Sequence, residues 1–251
     1  MRPLFLPLLL LLLPGTSLPT RAQAPPLTVL AAPYDPPHNM LANGRIIGLS
    51  AEQVEELLRR AAVPYVLRQA PWPRALQSAL ELPGHCAISM ARSLEREDKY
   101  RWIGPVARMD WVLYARHDDK RAPASLEQVR EALIGGSASD VITQWLVAGK
   151  FRVDQTSTDQ LNPAKLMAGR FDYWAVSRQR GATMTAEAGL TGRIVPVLTF
   201  GHSDLYLGCH RETPDDVVRK LNQVLNEMRA DGTVERILAR YARWTPEGAA
   251  P

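Results

Sequence analysis

Short apolar runs alternate with amphipathic segments along the first third of the chain. The first amphipathic segment, over 50–62, begins with Ser50 and Gln53 at the spacing of a capping box and predicts a helix. Its apolar positions recur at helical spacing and are Val54, Leu57, Leu58 and Ala61. The same alternation predicts a second helix over 72–80 and strands over 27–32, 64–69 and 86–91. Alternating strands and helices favour an α/β fold with a parallel sheet and right-handed crossovers.

The alternation continues through the rest of the chain. A helix over 125–133 begins with a second Ser-x-x-Gln box, and Gly136-Ser137-Ala138-Ser139 is predicted to open the next helix, over 139–148. Thr213 and Pro214 have the form of a helix cap and a first helical residue. Gly232 then separates the two last helices. The remaining predicted elements are strands at 111–116, 151–156, 172–177, 193–198 and 204–210, and helices at 159–168 and 233–243.

Residues 1–24 have the pattern of a secretory signal peptide. Arg2 supplies the positive start, residues 4–13 form an apolar stretch too short to span a bilayer, and Ala22-Gln23-Ala24 is a small-x-small cleavage site. Cleavage after Ala22 and cleavage after Ala24 both fit, and an uncleaved membrane anchor is the alternative. No cysteine lies near either site, which argues against a lipid anchor. We therefore expect export to the periplasm.

Charge and composition exclude several classes of function. The formal charge falls from +4 to +2 once Arg2 and Arg21 are removed, and the remaining basic residues are scattered, so no nucleic-acid partner is expected. The five histidines lack the spacing of a metal site. The chain also lacks a nucleophile elbow, a phosphate-binding loop and a dinucleotide-binding motif. These observations predict no catalytic residues, no metal and no cofactor.

The segment from 85 to 105 carries the strongest signal for ligand binding. An apolar strand ends near Ala91 and is followed by a charged run that contains Arg96, and then by Trp102, Gly104 and Pro105. An arginine just past a buried strand lies at the edge where open α/β sheets bind ligands. Its guanidinium can bind a carboxylate through two parallel hydrogen bonds. The alternative is a surface arginine at a strand end.

The order strand, Ser-x-x-Arg, Trp, Gly-Pro resembles a segment of the bacterial periplasmic solute-binding proteins of family three, the polar-amino-acid type. The stretches PYDPPHNMLANGRIIGLSAEQVEELL, LMAGRFDYWAVSR and the helical C-terminal region are similar to further parts of that family. The resemblance implies an α/β, two-lobed type II periplasmic-binding-protein fold with two hinge crossings. It divides the chain into a first lobe of 25–110 and 203–251 and a second lobe of 111–202.

The resemblance also implies a binding site between the lobes. Arg96 would hold a ligand carboxylate, with backbone groups of Ser137 and Ala138 donating from a helix N-terminus; an ordinary capped helix is the alternative. Ser177 stands where amino-acid-binding members carry an acid for the ligand ammonium, so an organic acid fits as well as an amino acid bound through Asp35 or Asp204. The remaining implied site residues are Ser89, Ala91, Tyr34, Asp35 and Trp72, the last either an aromatic wall or a packing residue.

Three functions on this fold follow from the resemblance. The first is a monomeric binding protein that delivers a small carboxylate-bearing solute to a membrane ABC permease. The second is an enzyme like the cyclic-acid dehydratases, which needs a general acid beside the arginine, with Glu187 and Asp204 as candidates. The third is a ligand sensor without a transport role.

The two cysteines are expected to meet an oxidising compartment after export. The resemblance places Cys86, at the start of one strand, beside Cys209, at the end of an antiparallel strand. Opposed residues of such strands are within disulfide reach. Two buried free thiols are the alternative.

Overall fold

The structure is a computed structural model that describes residues 25–157 and 159–241; the predicted signal peptide lies outside these residues. Its strands are β1 (Leu27–Ala31), β2 (Tyr34–Asp35), β3 (Asn39–Ala42), β4 (Arg45–Ile47), β5 (Tyr65–Gln69), β6 (His85–Ala91), β7 (Tyr100–Arg116), β8 (Leu133–Ser137), β9 (Arg152–Thr156), β10 (Tyr173–Ser177) and β11 (Ile194–His210). Its helices are α1 (Leu49–Arg60), α2 (Trp72–Glu81), α3 (Val141–Ala148), α4 (Asn162–Met167), α5 (Arg178–Glu187), α6 (Asp215–Ala230) and α7 (Thr233–Tyr241).

Eight strands form one sheet in the order β5-β1-β6-β11-β7-β10-β8-β9, and β2, β3 and β4 form a separate small sheet. The two longest strands, β7 and β11, have 17 residues each and pair antiparallel from Tyr100 opposite His210 to Arg116 opposite Ile194. They connect a parallel group, β5-β1-β6, with a second group, β10-β8-β9. This is the predicted α/β architecture with two crossing strands; the residue bounds of the two lobes remain a prediction.

Each strand group has its own hydrophobic core. Around β1 and β6, the predicted apolar face of α1 is buried, since Val54, Leu57, Leu58 and Ala61 are each at most 1% exposed. Helices α6 and α7 pack into the same core. Around β10, apolar residues pack on both faces of the sheet, which explains why this strand is apolar throughout.

Three predicted helix starts are wrong. Helix α1 begins after Gly48, and Ser50 lies inside it, where its Oγ contacts Nδ1 of buried His38 at 3.3 Å. Pro214 rather than Thr213 caps α6. The next helix after β8 is α3, which begins at Val141, because Gly136 and Ser137 belong to β8.

Two further predictions fail around the second strand group. The helix predicted over 125–133 is a single 3₁₀ turn, Leu126–Val129, because Leu133 and Ile134 enter the sheet as the start of β8. Helix α5 was not predicted, because its sequence RQRGATMTAE has no apolar face at helical spacing. It packs closely on β7 through Gly181, where a Cβ atom would lie 2.4 Å from the ring of Tyr114.

The predicted disulfide is confirmed. Strands β6 and β11 are antiparallel neighbours, and Cys86 lies directly opposite Cys209. The two residues form a disulfide across a sequence separation of 123, so the alternative of two free thiols is wrong. The bridge ties the segment that returns from the second strand group to the first one.

Candidate ligand-binding cleft

Arg96 is buried between the two strand groups. It lies in the loop after β6 and is 6% exposed. Its Nη1 donates to the carbonyl of Ala91 at 3.4 Å and its Nη2 to Oε1 of Gln144, on α3, at 3.5 Å. Both distances exceed those of strong hydrogen bonds. Among the described residues, no carboxylate comes within 4.0 Å of its guanidinium nitrogens, and burial lowers the pKa of this group. The charges of Asp140 and Glu95 act on it only from beyond this distance, so the side chain is a desolvated cation without a protein carboxylate in contact.

A cavity of about 60 Å³ lies beside Arg96, enough for a few water molecules. Both strand groups contribute to it. The lining residues are Ala32, Asp35, Trp72, Ser89, Ala91, Arg96, Met109, Asp140, Val141, Ser177 and Arg180. The structure thus brings most of the predicted site residues together, with Ser137 and Ala138 outside this lining; the side chain of Tyr34 is not among those that the structure describes.

The backbone at Ser89 is unusual for a strand residue. Its φ is +61°, in the left-handed region, which costs a non-glycine residue on the order of 1–3 kcal/mol. The Nδ2 of Asn39 donates to its Oγ at 2.9 Å and anchors the small sheet to the end of β6. Such strain concentrates at binding sites, and here it coincides with a register shift between β6 and β11, just before the loop that carries Arg96.

The N-terminus of α3 differs from the predicted anion site. The amide of Ala138 already donates to the carbonyl of Thr156 at 2.9 Å. Asp140 caps the helix, with its Oδ1 accepting from the amide of Ile142 at 2.8 Å. A protein carboxylate therefore occupies the helix end that was expected to receive a ligand anion. Contact between a ligand and the backbone of Ser137 or Ala138 remains a prediction.

The second arginine of the cavity, Arg180, has counter-ions from the protein. Its Nε donates to Oδ2 of Asp159 at 2.8 Å, and its Nη1 lies 4.0 Å from Oδ1 of Asp35. Burial opposes its charge, but the carboxylates of Asp159, Asp35 and Asp140 outweigh this effect and raise its pKa. The Nδ2 of Asn162 donates to the other oxygen of Asp159 at 2.7 Å. This group is a largely satisfied ionic network.

Asp140 lines the same cavity as the two arginines, and its charge acts on both. Desolvation raises the pKa of its carboxyl to about 6, and the nearby carboxylates of Asp159 and Asp35 add to the rise. The amide of Ile142 and the charge of Arg180 oppose it. The cleft therefore contains two guanidinium groups and three carboxyl groups, one of which titrates near neutrality.

Sequence reasoning missed Arg180, Asp140 and Asp159 as cleft residues. For Arg180 a signal existed, because it follows the buried strand β10 just as Arg96 follows β6. It also lies in the first turn of α5, where the helix dipole disfavours a cation. Asp140 and Asp159 carry no such signal, because only the fold brings Asp140 to the cavity and Asp159 to Arg180.

The acids proposed for an enzyme do not lie beside Arg96. Asp204 is half-exposed, has Arg108 at 3.8 Å and lines a different groove. Glu187 is exposed at the end of α5.

Within residues 25–157 and 159–241, no group of three or more His, Cys, Asp and Glu side chains is arranged to hold a metal. No helix in these residues combines the length and apolar character needed to cross a membrane.

Solved structures share this fold over nearly their whole length. A histidine kinase sensor domain with similarity to periplasmic binding proteins matches with a TM-score of 0.78 and 19% identity, covering 90% of this chain and 99% of its own. The arginine-, lysine-, histidine-binding protein ArtJ from Geobacillus stearothermophilus matches with a TM-score of 0.73 and 13% identity, covering 89% and 97%. A periplasmic His/Glu/Gln/Arg/opine family-binding protein from Silicibacter pomeroyi, in complex with lysine, has a TM-score of 0.70 and 17% identity, covering 90% and 99%.

At these identities the likeness shows the fold alone, and it confirms the type II periplasmic-binding-protein architecture. The search of curated proteins finds no match. The bacterial extracellular solute-binding proteins, family 3, match residues 27–243, which is most of the chain. The chain therefore belongs to the bacterial extracellular solute-binding proteins of family 3, and it is a binding protein rather than an enzyme.

Proposed function

We propose that this protein captures a small carboxylate-bearing solute in the cleft beside Arg96 and delivers it to a membrane ABC importer. The observation that carries the proposal is the state of Arg96, a buried cation whose hydrogen bonds are long and which has no protein carboxylate in ion-pair reach among the described residues. Burying an isolated charge is costly, and a ligand carboxylate would compensate for it with two parallel charge-assisted hydrogen bonds.

The surroundings of Arg96 support a clamp between two lobes. Its loop belongs to the first strand group, and its contact with Gln144 reaches α3 of the second. A carboxylate bound here would join both groups. The half-buried ring of Trp72 and the polar Ser89 line the same cavity and would contact the rest of the ligand. The cavity is small, so we expect the cleft to open before the ligand enters.

Export and transport form the second part of the proposal. The signal-like pattern of residues 1–24 and the Cys86–Cys209 disulfide support a periplasmic protein. We propose lobes of 25–110 with 203–251 and of 111–202, joined by β7 and β11, that close on the ligand as a monomer. N-terminal sequencing of periplasmic protein should begin at Gln23 or Pro25; an intact Met1 would contradict cleavage.

Ligand binding can be tested on the purified mature protein. A thermal-shift screen with amino acids, dicarboxylates and cyclic acids identifies a ligand, and calorimetry then compares wild type with Arg96→Ala. We expect at least tenfold weaker binding, because losing such a desolvated contact typically costs about 2–5 kcal/mol. Arg96→Lys should also weaken binding, since the ammonium of lysine cannot form the two parallel hydrogen bonds that a guanidinium makes with a carboxylate.

The matched control is Arg92→Ala, four residues earlier. Arg92 is partly exposed, pairs with Glu97 and does not line the cavity. Its loss should leave affinity within about twofold. Equal affinities of wild type and Arg96→Ala would remove Arg96 from the site and overturn the proposal.

A further inference from the structure

We propose that Arg180 is a specificity residue that fills the cationic subsite of the cleft, so that the ligand is a carboxylic acid without an α-amino group. This inference rests on the proposed function and adds the class of ligand to it. Arg180 lines the cavity together with Asp35 and Asp140, and it is paired with Asp159. At this side of the cavity the protein itself therefore supplies a cation.

Two carboxylates from separate parts of the fold, those of Asp159 and Asp35, lie within 4.0 Å of Arg180, and the charge of Asp140 acts on it as well. Asp159 lies in a 3₁₀ turn before α4, Asp35 in β2 and Asp140 at the start of α3. Asp35 and Asp140 line the cavity, and without Arg180 they would attract a ligand ammonium. The guanidinium of Arg180 is already among these acids, with Nε 2.8 Å from Asp159 and Nη1 4.0 Å from Asp35.

An α-amino acid would bring its two charges into this cleft at a fixed short separation. With its carboxylate on Arg96, its ammonium would lie in a cavity of only about 60 Å³ that Arg180 also lines. The two cations would repel each other and compete for the same carboxylates. Ser177, the neighbouring lining residue at the end of β10, is uncharged and supplies no further anion.

A ligand without the amine would not be repelled by Arg180 and would not compete with it for the carboxylates. Its carboxylate would bind Arg96, and its carbon chain would lie against Trp72, Met109 and Val141, which contribute the apolar part of the lining. The network around Arg180 would remain intact. Arg180 thus favours the acid over the corresponding amino acid without contacting the ligand carboxylate.

The experiment measures binding of matched ligand pairs that differ only in the amine: L-glutamate with glutarate, L-leucine with 4-methylpentanoate, and L-phenylalanine with 3-phenylpropanoate. For the pair that wild type binds best, we expect the acid to bind at least tenfold more tightly than the amino acid. In Arg180→Ala the preference should shrink at least tenfold or reverse. Arg180→Lys, which keeps a cation, should retain a preference for the acid.

The matched control is Arg178→Ala. Arg178 lies two residues earlier on the same helix, is 42% exposed in its side chain and does not line the cavity. Its loss should leave the preference unchanged. Wild type that binds the amino acid as tightly as the acid, with binding still lost in Arg96→Ala, would overturn the role of Arg180 and leave the proposed function standing. Failure of every pair to bind, together with no ligand in the thermal-shift screen of amino acids, dicarboxylates and cyclic acids, would overturn both.

A second measurement does not depend on the carboxylate ligand. Removing Arg180 leaves an acid-lined space, so methylammonium or guanidinium chloride at millimolar concentration should raise the Tm of Arg180→Ala above its value in equimolar sodium chloride. Wild type and Arg178→Ala should show no such rise. Absence of the rise in a folded Arg180→Ala would contradict a cation subsite at this position.

Discussion

The two walls of the cleft each present an arginine, and they differ in how its charge is compensated. On the first wall, formed by β6 and the following loop, Arg96 has only long hydrogen bonds to Ala91 and Gln144. On the second wall, formed by β10 and α5, Arg180 is paired with Asp159 at 2.8 Å. Burial lowers the pKa of Arg96, whereas nearby carboxylates raise that of Arg180 despite burial. A buried arginine therefore indicates an anion site only when its protein counter-ions are missing.

The first wall also contains the Cys86–Cys209 disulfide. Removing this disulfide should have the largest effect on the free energy of unfolding. Cys86→Ser/Cys209→Ser should lower the free energy of unfolding by about 4–5 kcal/mol in the chain-entropy model, because the bridge closes a long loop. Urea denaturation measures the loss, and reduced wild type should behave like the variant. Amide exchange should rise most in β6 and β11 and least in α5. A loss below about 1 kcal/mol would contradict this assignment.

The second wall should be sensitive to loss of its arginine. Arg180→Met leaves Asp159 and Asp35 without their cation, and breaking such a pair should cost about 3 kcal/mol, the lower end of the usual range, because the Arg180 side chain is 21% exposed. Arg178→Met should change stability by about 0.5 kcal/mol or less. Chemical denaturation at pH 7 tests both. Equal effects of the two substitutions would remove the contrast between the walls.

Asp140, which caps α3 and lines the same cavity, should make stability depend on pH. Its pKa is raised from 3.8 to about 6 in the folded protein, so its contribution is fully present below about pH 4 and is lost as pH rises through 6. The groups that face it are Asp159, Asp35, Arg180 and Arg96.

Relative to Asp140→Asn, which keeps an acceptor for the Ile142 amide, wild type should lose about 2–3 kcal/mol between pH 4 and pH 8. Denaturation of both proteins across this range measures the difference. Parallel pH profiles would show that the Asp140 carboxyl titrates normally.

The smallest effect on stability is expected on the first wall. Arg96→Met removes a desolvated cation that has no carboxylate in ion-pair contact among the described residues, so stability should stay within about 1 kcal/mol of wild type or rise. The same variant should lose ligand binding. Denaturation without ligand and calorimetry with ligand separate the two effects. A loss near that of Arg180→Met would mean that Arg96 is a structural residue.

Local sequence determined the features that depend on neighbouring residues. The apolar positions of α1 required only helical spacing, and Arg96 was identified because it follows an apolar strand. The Cys86–Cys209 pairing came from the resemblance to a family, which supplied the strand order that spacing alone lacks. Helix starts were less predictable, because Ser50 turned inward to His38 instead of capping α1.

Only the tertiary structure decided the second wall of the cleft. Helix α5 has no apolar stripe and is held by close packing of Gly181 on Tyr114, which no periodicity reveals. Asp35 and Asp159 are far apart in the chain; packing within the second strand group brings Asp159 to Arg180, and only the facing of the two strand groups across the cleft brings Asp35 there. Apolar spacing is a local property that sequence records directly, whereas the compensation of a buried charge depends on distances between distant segments, which exist only after folding.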